Sequence, residues 1–124
     1  MVSKLARTSF FNGLEKDDLV RLAQIARVTT YPADTVLFSQ GDESDGLYAV
    51  VRGIVRIFIT AEDGRELTMQ LFEEGEVIGE IALIDGLPRS AGAATLTETQ
   101  LIFVPRQPFM ALLDSSPRLQ RQIL

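Results

Sequence analysis

The sequence predicts a mainly β domain with flanking helices, and three observations carry that expectation. Gly41, Gly53, Gly64 and Gly75 punctuate the middle of the chain at intervals of 12, 11 and 11 residues. Short β-branched and apolar runs fill the intervals, the pattern of an antiparallel barrel or sandwich. The longer helical periodicities are confined to the two ends of the chain. With 124 residues, the whole of 1–124 reads as one domain, long enough for a sizeable core and short of the length at which cores divide.

The elements follow in order. Leu14, Leu19, Leu22, Ala23 and Ala26 recur at near-helical spacing. Glu15, Asp17 and Asp18 precede Arg21 and Arg27, the order a helix dipole favours, so an amphipathic helix is expected over Glu15 to Ala26. From Thr29 the period changes. Tyr31-Pro32-Ala33-Asp34 is turn-like and Thr35-Val36-Leu37-Phe38 strand-like. The runs Ile54–Ile59 and Leu67–Phe72 flank Glu62-Asp63-Gly64 and predict a hairpin. Ala93–Leu96 and Gln100–Val104 read as returning strands, and Pro105 is expected to stop the sheet. Pro108–Leu113 then restarts a helix, with Pro at a tolerated early position. Pro117 opens another over 117–124 that looks cut short, with Leu119 and Ile123 starting an apolar stripe. The overall expectation is about 20 to 30% helix, with strand dominating.

Composition excludes several chemistries. The chain has neither cysteine nor histidine, which removes disulfides, thiolate nucleophiles and the usual ligands of zinc, haem and iron–sulfur clusters. A metal-dependent barrel enzyme would need clustered histidines. Glu73-Glu74-Gly75-Glu76 reads as a solvated acidic turn, and no metal is predicted. The net charge of -5 repels polyanions, so DNA binding by this chain alone is not expected. No apolar run approaches the roughly 20 residues of a membrane span. Polar residues interrupt the start, Met1 to Arg7, so no signal peptide is expected and a cytoplasmic location follows.

The most informative stretch is Gly79-Glu80-Ile81-Ala82-Leu83, followed by Arg89-Ser90-Ala91. A Gly-Glu opening on a short helix leaves N–H groups of Glu80, Ile81 and Ala82 free to meet an anion. Arg89 adds a planar, permanently charged fork that matches phosphate oxygens. The Ser90 hydroxyl can donate to the same oxygens. Glu80 would repel a phosphate, so its task is to accept from a ribose hydroxyl. Gly79 lets the backbone approach closely. Ile57, Met69, Leu71 and Val77 are expected to form the apolar wall against a base. Together these groups suit a nucleotide.

Gly79-Glu80-Ile81-Ala82-Leu83-Ile84-Asp85-Gly86-Leu87-Pro88-Arg89-Ser90-Ala91 resembles the phosphate-binding cassette of cyclic-nucleotide-binding domains. The likeness extends through the strands from Val36 to Phe72 and the helical flanks. Gly53-Ile54-Val55-Arg56-Ile57 and Asp63-Gly64-Arg65-Glu66-Leu67 resemble sensor domains of bacterial Crp/Fnr transcription regulators. The resemblance implies an antiparallel β-roll or jelly-roll barrel of the cyclic-nucleotide-binding type. It implies a non-enzymatic sensor whose effector is cyclic AMP or cyclic GMP. It further implies a homodimer through the C-terminal helix, base contact from that helix, and DNA binding only through a reader domain beyond Leu124. The alternatives are a regulatory domain of a kinase or channel, or a degenerate, ligand-free dimerisation scaffold. Intact Gly79, Glu80 and Arg89 argue against the scaffold.

Overall fold

The computed structural model describes residues 1–123. Two helices, α1 (Val2–Ala6) and α2 (Lys16–Ile25), lead into strands β1 (Arg27–Tyr31), β2 (Val36–Phe38), β3 (Gly46–Arg52), β4 (Val55–Thr60), β5 (Glu66–Phe72) and β6 (Val77–Ile78). A short helix α3 (Glu80–Asp85) interrupts before β7 (Gly92–Thr95) and β8 (Thr99–Pro105). Helices α4 (Arg106–Ser115) and α5 (Pro117–Ile123) follow. The strands form two four-stranded antiparallel sheets, in the orders β1-β8-β3-β6 and β2-β7-β4-β5. This is the expected mainly β roll with flanking helices.

Successive residues of β3 and β8 pack into different clusters, because the first sheet is covered on both faces. Leu47, Ala49, Ile102 and Val104 join a cluster with the helical residues Leu5, Leu22, Phe109 and Leu119 and with Phe11 of the turn between α1 and α2. Tyr48, Val50 and Leu101 turn the other way, onto Val55 and Ala93 of the second sheet. A strand packed on both faces reads as an unbroken apolar run, and Leu47–Val50 is such a run. Phe109 and Leu119 are fully buried, so the C-terminal helices belong to the same packed core as the N-terminal ones. Truncating Phe109 to alanine would cost about 3 to 5 kcal/mol, the loss of its contacts plus the cavity left behind.

The hairpin forms where expected, with Gly64 at φ +87° and its N–H donating to the Ala61 carbonyl. Helix α2 matches the expected amphipathic helix to within a residue at each end. Pro105 ends β8 while still opposite Gly46 in the register, and α4 starts at the next residue. Gly46 has to lack a side chain, since a Cβ would lie 2.6 Å from the Phe103 ring. Three elements, α1, β1 and β6, have no counterpart among the sequence expectations. Helices occupy nearly as many residues as strands, so strand does not dominate to the expected degree.

The apolar stripe on α5 is corrected by the packing. Leu119 is fully buried and Ile123 packs against the same cluster, so the intrachain core already covers this face. Polar contacts fix it there. Arg118 reaches α2 with Nε and Nη2 both donating to the Asp18 carboxylate at 3.1 Å, while Nη1 meets Glu15 at 2.9 Å. Asp18 is fully buried, which makes this two-pronged bond the source of compensation for its charge. Leu124, included in the expected 117–124 helix, lies outside the described residues.

Candidate functional site

Helix α3 is entered through a left-handed residue. Gly79 has φ +86°, and its carbonyl accepts from Leu83 N–H at 3.0 Å to close the first turn. The N–H groups of Glu80, Ile81 and Ala82 precede that bond and have no intrahelical partner. Any Cβ on Gly79 would collide with Nη1 of Arg89, so glycine is required by both torsion and space. Gly86, at φ +76°, closes the other end of α3 by donating to Ala82. Arg106 then caps that end from outside, its Nε 2.9 Å from the Leu83 carbonyl.

The segment after α3 is held by the loop before β3. Ser44 Oγ donates to the Leu87 carbonyl at 2.7 Å, Arg89 N–H donates to Asp42 at 2.8 Å, and Gly41 N–H donates to the Arg89 carbonyl at 2.8 Å. These bonds fix the backbone that carries Arg89. Its side chain is 2% exposed, although Asp45, its ion-pair partner at 3.3 Å, is 66% exposed. Nη2 also donates to the Gly46 carbonyl at 2.6 Å, and the guanidinium carbon sits 4.1 Å from the centre of the Phe38 ring. Among the described residues, Nε and Nη1 are buried without any partner. Each unmet buried donor costs about 1 to 3 kcal/mol, so the protein holds two strong donors in reserve.

Arg89 lines a cavity of about 370 Å³. Gly79, Glu80, Ile81, Ala82, Arg89, Ser90, Ala91 and Ile57 all line it. The Glu80 carboxylate is half-buried and forms no ion pair among the described residues. Ile81 and Leu87 stand exposed while lining the cavity. Among the described residues, no residue of α4 or α5 lines it.

Three expected wall residues do not reach the cavity. Leu71 sits opposite Arg56 in the β4–β5 register, whereas Gln70 sits opposite the cavity residue Ile57. Neighbouring strand residues point to opposite faces, so Leu71 turns outward and is 45% exposed. Met69 is the extra residue of a register shift, because Ile57 pairs with Gln70 and Phe58 with Thr68. It is 63% exposed. Val77 fails in the other direction: it packs into the helical core, and its neighbour Ile78 lines the cavity. The wall residues missed by sequence reasoning are Phe38, Gln70, Phe72 and Ile78, with Asp85, Leu87 and Pro88 at the rim.

The profile of the family described as "Cyclic nucleotide-binding domain" matches residues 28–116. The chain belongs to the cyclic nucleotide-binding domain family. A cyclic AMP receptor protein of Thermus thermophilus is 35% identical over 107 residues, covering 86% of this chain and 50% of its own length. A CRP-like cAMP-activated global transcriptional regulator of Mycobacterium tuberculosis is 28% identical over 120 residues, covering 97% of this chain and 54% of the relative. Among solved structures, the N-terminal domain of a transcriptional regulator from Streptomyces coelicolor A3(2) superposes with a TM-score of 0.84 at 30% identity, covering 96% of this chain and 83% of that one. The chain thus spans about half the length of the curated relatives it matches. In the cyclic nucleotide-binding fold seen here, an anion-ready arginine, a carboxylate and an apolar wall surround one cavity.

Proposed function

We propose that this chain is a non-enzymatic cyclic-nucleotide sensor, the effector-binding part of a Crp/Fnr-type transcription regulator, with cyclic AMP as the first candidate ligand and cyclic GMP as the second. The observation that carries the reading is the buried Arg89, a cavity-lining residue whose Nε and Nη1 have no partner among the described residues. A cyclic phosphate offers exocyclic oxygens that could accept from these unpaired donors while Nη2 keeps its bond to Gly46. The free N–H groups at the start of α3 and the Ser90 hydroxyl would complete the phosphate shell. Glu80 would accept from the ribose 2′-hydroxyl, and Phe38, Ile57, Phe72 and Ile78 would flank the sugar and base.

Ligand capture can act on the rest of the molecule through α3. Its last turn is tied to the first residue of α4 by Arg106, and Arg106 N–H bonds the Asp45 carbonyl beside the Arg89 partners. A shift of α3 toward a bound phosphate therefore pulls on the C-terminal helices. Its size is limited by the ligand's differential affinity for the two arrangements. DNA contact is assigned to a reader domain outside this sequence, and a homodimer to helical residues beyond those described, since Leu119 and Ile123 are used within the chain. No helix among the described residues is long and apolar enough to cross a membrane, and we place the protein in the cytoplasm. Calorimetric titration with cyclic AMP, cyclic GMP and noncyclic AMP tests the reading. Saturable binding of a cyclic nucleotide, with noncyclic AMP much weaker, is expected; binding of neither cyclic form would overturn it.

A further inference from the structure

The side-chain bonds of Arg89 all come from Nη2, to Asp45 and Gly46, so among the described residues the rest of its guanidinium is placed by something other than a hydrogen bond. The guanidinium carbon lies 4.1 Å from the centre of the Phe38 ring. Phe38 is the last residue of β2, and an aromatic row on the other sheet stands against it. Tyr48 of β3 sits opposite Phe103 of β8 in the register, and Arg27 of β1 sits opposite Phe103 in turn. Side chains at such paired positions share one face of a sheet. The ring centres follow that row: 6.0 Å from Phe38 to Tyr48 and 5.0 Å from Tyr48 to Phe103. At the far end the Arg27 guanidinium carbon lies 5.4 Å from the Phe103 centre. Three rings between two guanidiniums thus connect the sheets beside the cavity. Tyr48 and Phe103 are not among the residues that line it, whereas Phe38 and Arg89 are.

Resting on the nucleotide reading above, we infer that Phe38 is a positioning residue of the phosphate site: its ring, braced by Tyr48 and Phe103, holds the Arg89 guanidinium in place before a ligand arrives. An aromatic face attracts a cation through its quadrupole, and the attraction is strongest out of water, where the Arg89 side chain lies. The ring accepts the charge without taking any N–H in a conventional bond, so the contact fixes Arg89 and leaves Nε and Nη1 unspent. A carboxylate acts in the opposite sense. Each N–H that meets Asp45 is withdrawn from a phosphate, and a closer pairing with that exposed residue would offset the charge the phosphate needs. Without the ring, the guanidinium would have to be drawn back from water or from Asp45 whenever a ligand binds, and that ordering cost subtracts from affinity. Leucine fills part of the same space but has no quadrupole; tyrosine retains it.

The test compares wild type, Phe38→Leu and Phe38→Tyr in two measurements. One is calorimetric titration with cyclic AMP. The other is the exchange with water of the Arg89 Nε–H, followed by NMR in the ligand-free protein made with isotope-labelled arginine. Phe38→Leu is expected to weaken cyclic AMP by about five- to thirtyfold, the range of a cation–π contact removed from water, and to speed the Nε–H exchange. Phe38→Tyr should bring affinity back to within about twofold of wild type and restore the slow exchange, since the ring face is kept. Phe38 packs against the cluster of Tyr48 and Val50, so urea unfolding checks each variant, and Phe38→Met takes the place of the leucine if that variant does not fold. Wild-type affinity in the leucine or methionine variant would overturn the assignment. So would a weakened affinity with the Arg89 exchange unchanged, because Phe38 lines the cavity and would then act by touching the nucleotide itself. Failure of wild type to bind any cyclic nucleotide would sink the nucleotide reading, and the exchange measurement would still decide whether Phe38 holds Arg89.

Discussion

The two ends of the cavity are built on different principles. At the Arg89 end the geometry is over-determined: a left-handed Gly79, a guanidinium stacked on Phe38, backbone bonds with Gly41 and Asp42, and the Ser44 hydroxyl on the Leu87 carbonyl leave one position for the side chain. At the β5 end Gln70 hangs from an edge strand with its amide free. A rigid end suits a phosphate, which is the same in every nucleotide. An adaptable end suits the base, which differs. The contrast predicts that substitutions at the rigid end abolish binding, whereas those on the outward face of the open end leave it nearly unchanged.

The largest effect should come from Arg89→Ala. Removing one partner of a desolvated charge-assisted pair costs about 2 to 5 kcal/mol, so affinity for cyclic AMP should fall by well over tenfold and approach the limit of calorimetric detection. Wild-type affinity in this variant would show that the phosphate sits elsewhere.

A second effect of similar size concerns the support beneath that end. Tyr48 packs between Phe38 and Phe103, with ring centres 6.0 and 5.0 Å away. Burial first, and then the nearby Asp45 and Tyr31, push its hydroxyl up to about 12 from 10.0. The native state therefore keeps a proton that the unfolded chain releases, so the stability is complete below about pH 10 and is lost as the pH rises toward 12. The loss over that window is on the order of 2 to 3 kcal/mol. Urea unfolding on both sides of the window should show this slope in wild type and a shallower one in Tyr48→Phe. Equal slopes would mean that Tyr48 is not the group responsible.

Glu80, the first residue of α3, lines the same cavity. Glu80→Gln keeps the shape and removes the charge, and should weaken cyclic AMP by about 1 to 3 kcal/mol, as for hydrogen bonds to charged groups. Titrating the 2′-deoxy analogue completes a double cycle. If Glu80 meets the ribose hydroxyl, the two losses will not add; additive losses would separate them.

The same contrast explains what the sequence could reveal. Gly79 and Arg89 were legible because identity alone specifies their roles: one tolerates a positive φ beside a guanidinium, the other carries an obligate fork. Ile57 was legible too, as part of a strand with apolar residues on both faces. The partners of Arg89 were not, since Asp45 and Gly46, at the start of β3, lie more than forty residues away and only the fold brings them near. The open end was misread for a different reason. Apolar residues usually mark the inward face of a strand, yet β5 turns Leu67, Met69 and Leu71 outward and Gln70 into the cavity. A pocket wall does not need to be packed, so the usual in-out pattern reverses there. Val77 and Ile78 differ by one step of the two-residue period, and only the pairing of Val77 with Ala49 and Ile78 with Tyr48 decides which faces the cavity.

The smallest predicted effect is the sharpest test of that reversal. If Met69 and Leu71 face outward, the double substitution Met69→Ser with Leu71→Ser removes only exposed apolar surface and leaves the cavity wall whole. Surface changes away from special features usually stay within about 0.5 kcal/mol in stability, and cyclic AMP affinity should stay within about twofold of wild type. A tenfold loss of affinity in the double serine variant would return Met69 and Leu71 to the wall, and would mean that the register of Gln70 opposite Ile57 does not describe the ligand-bound hairpin.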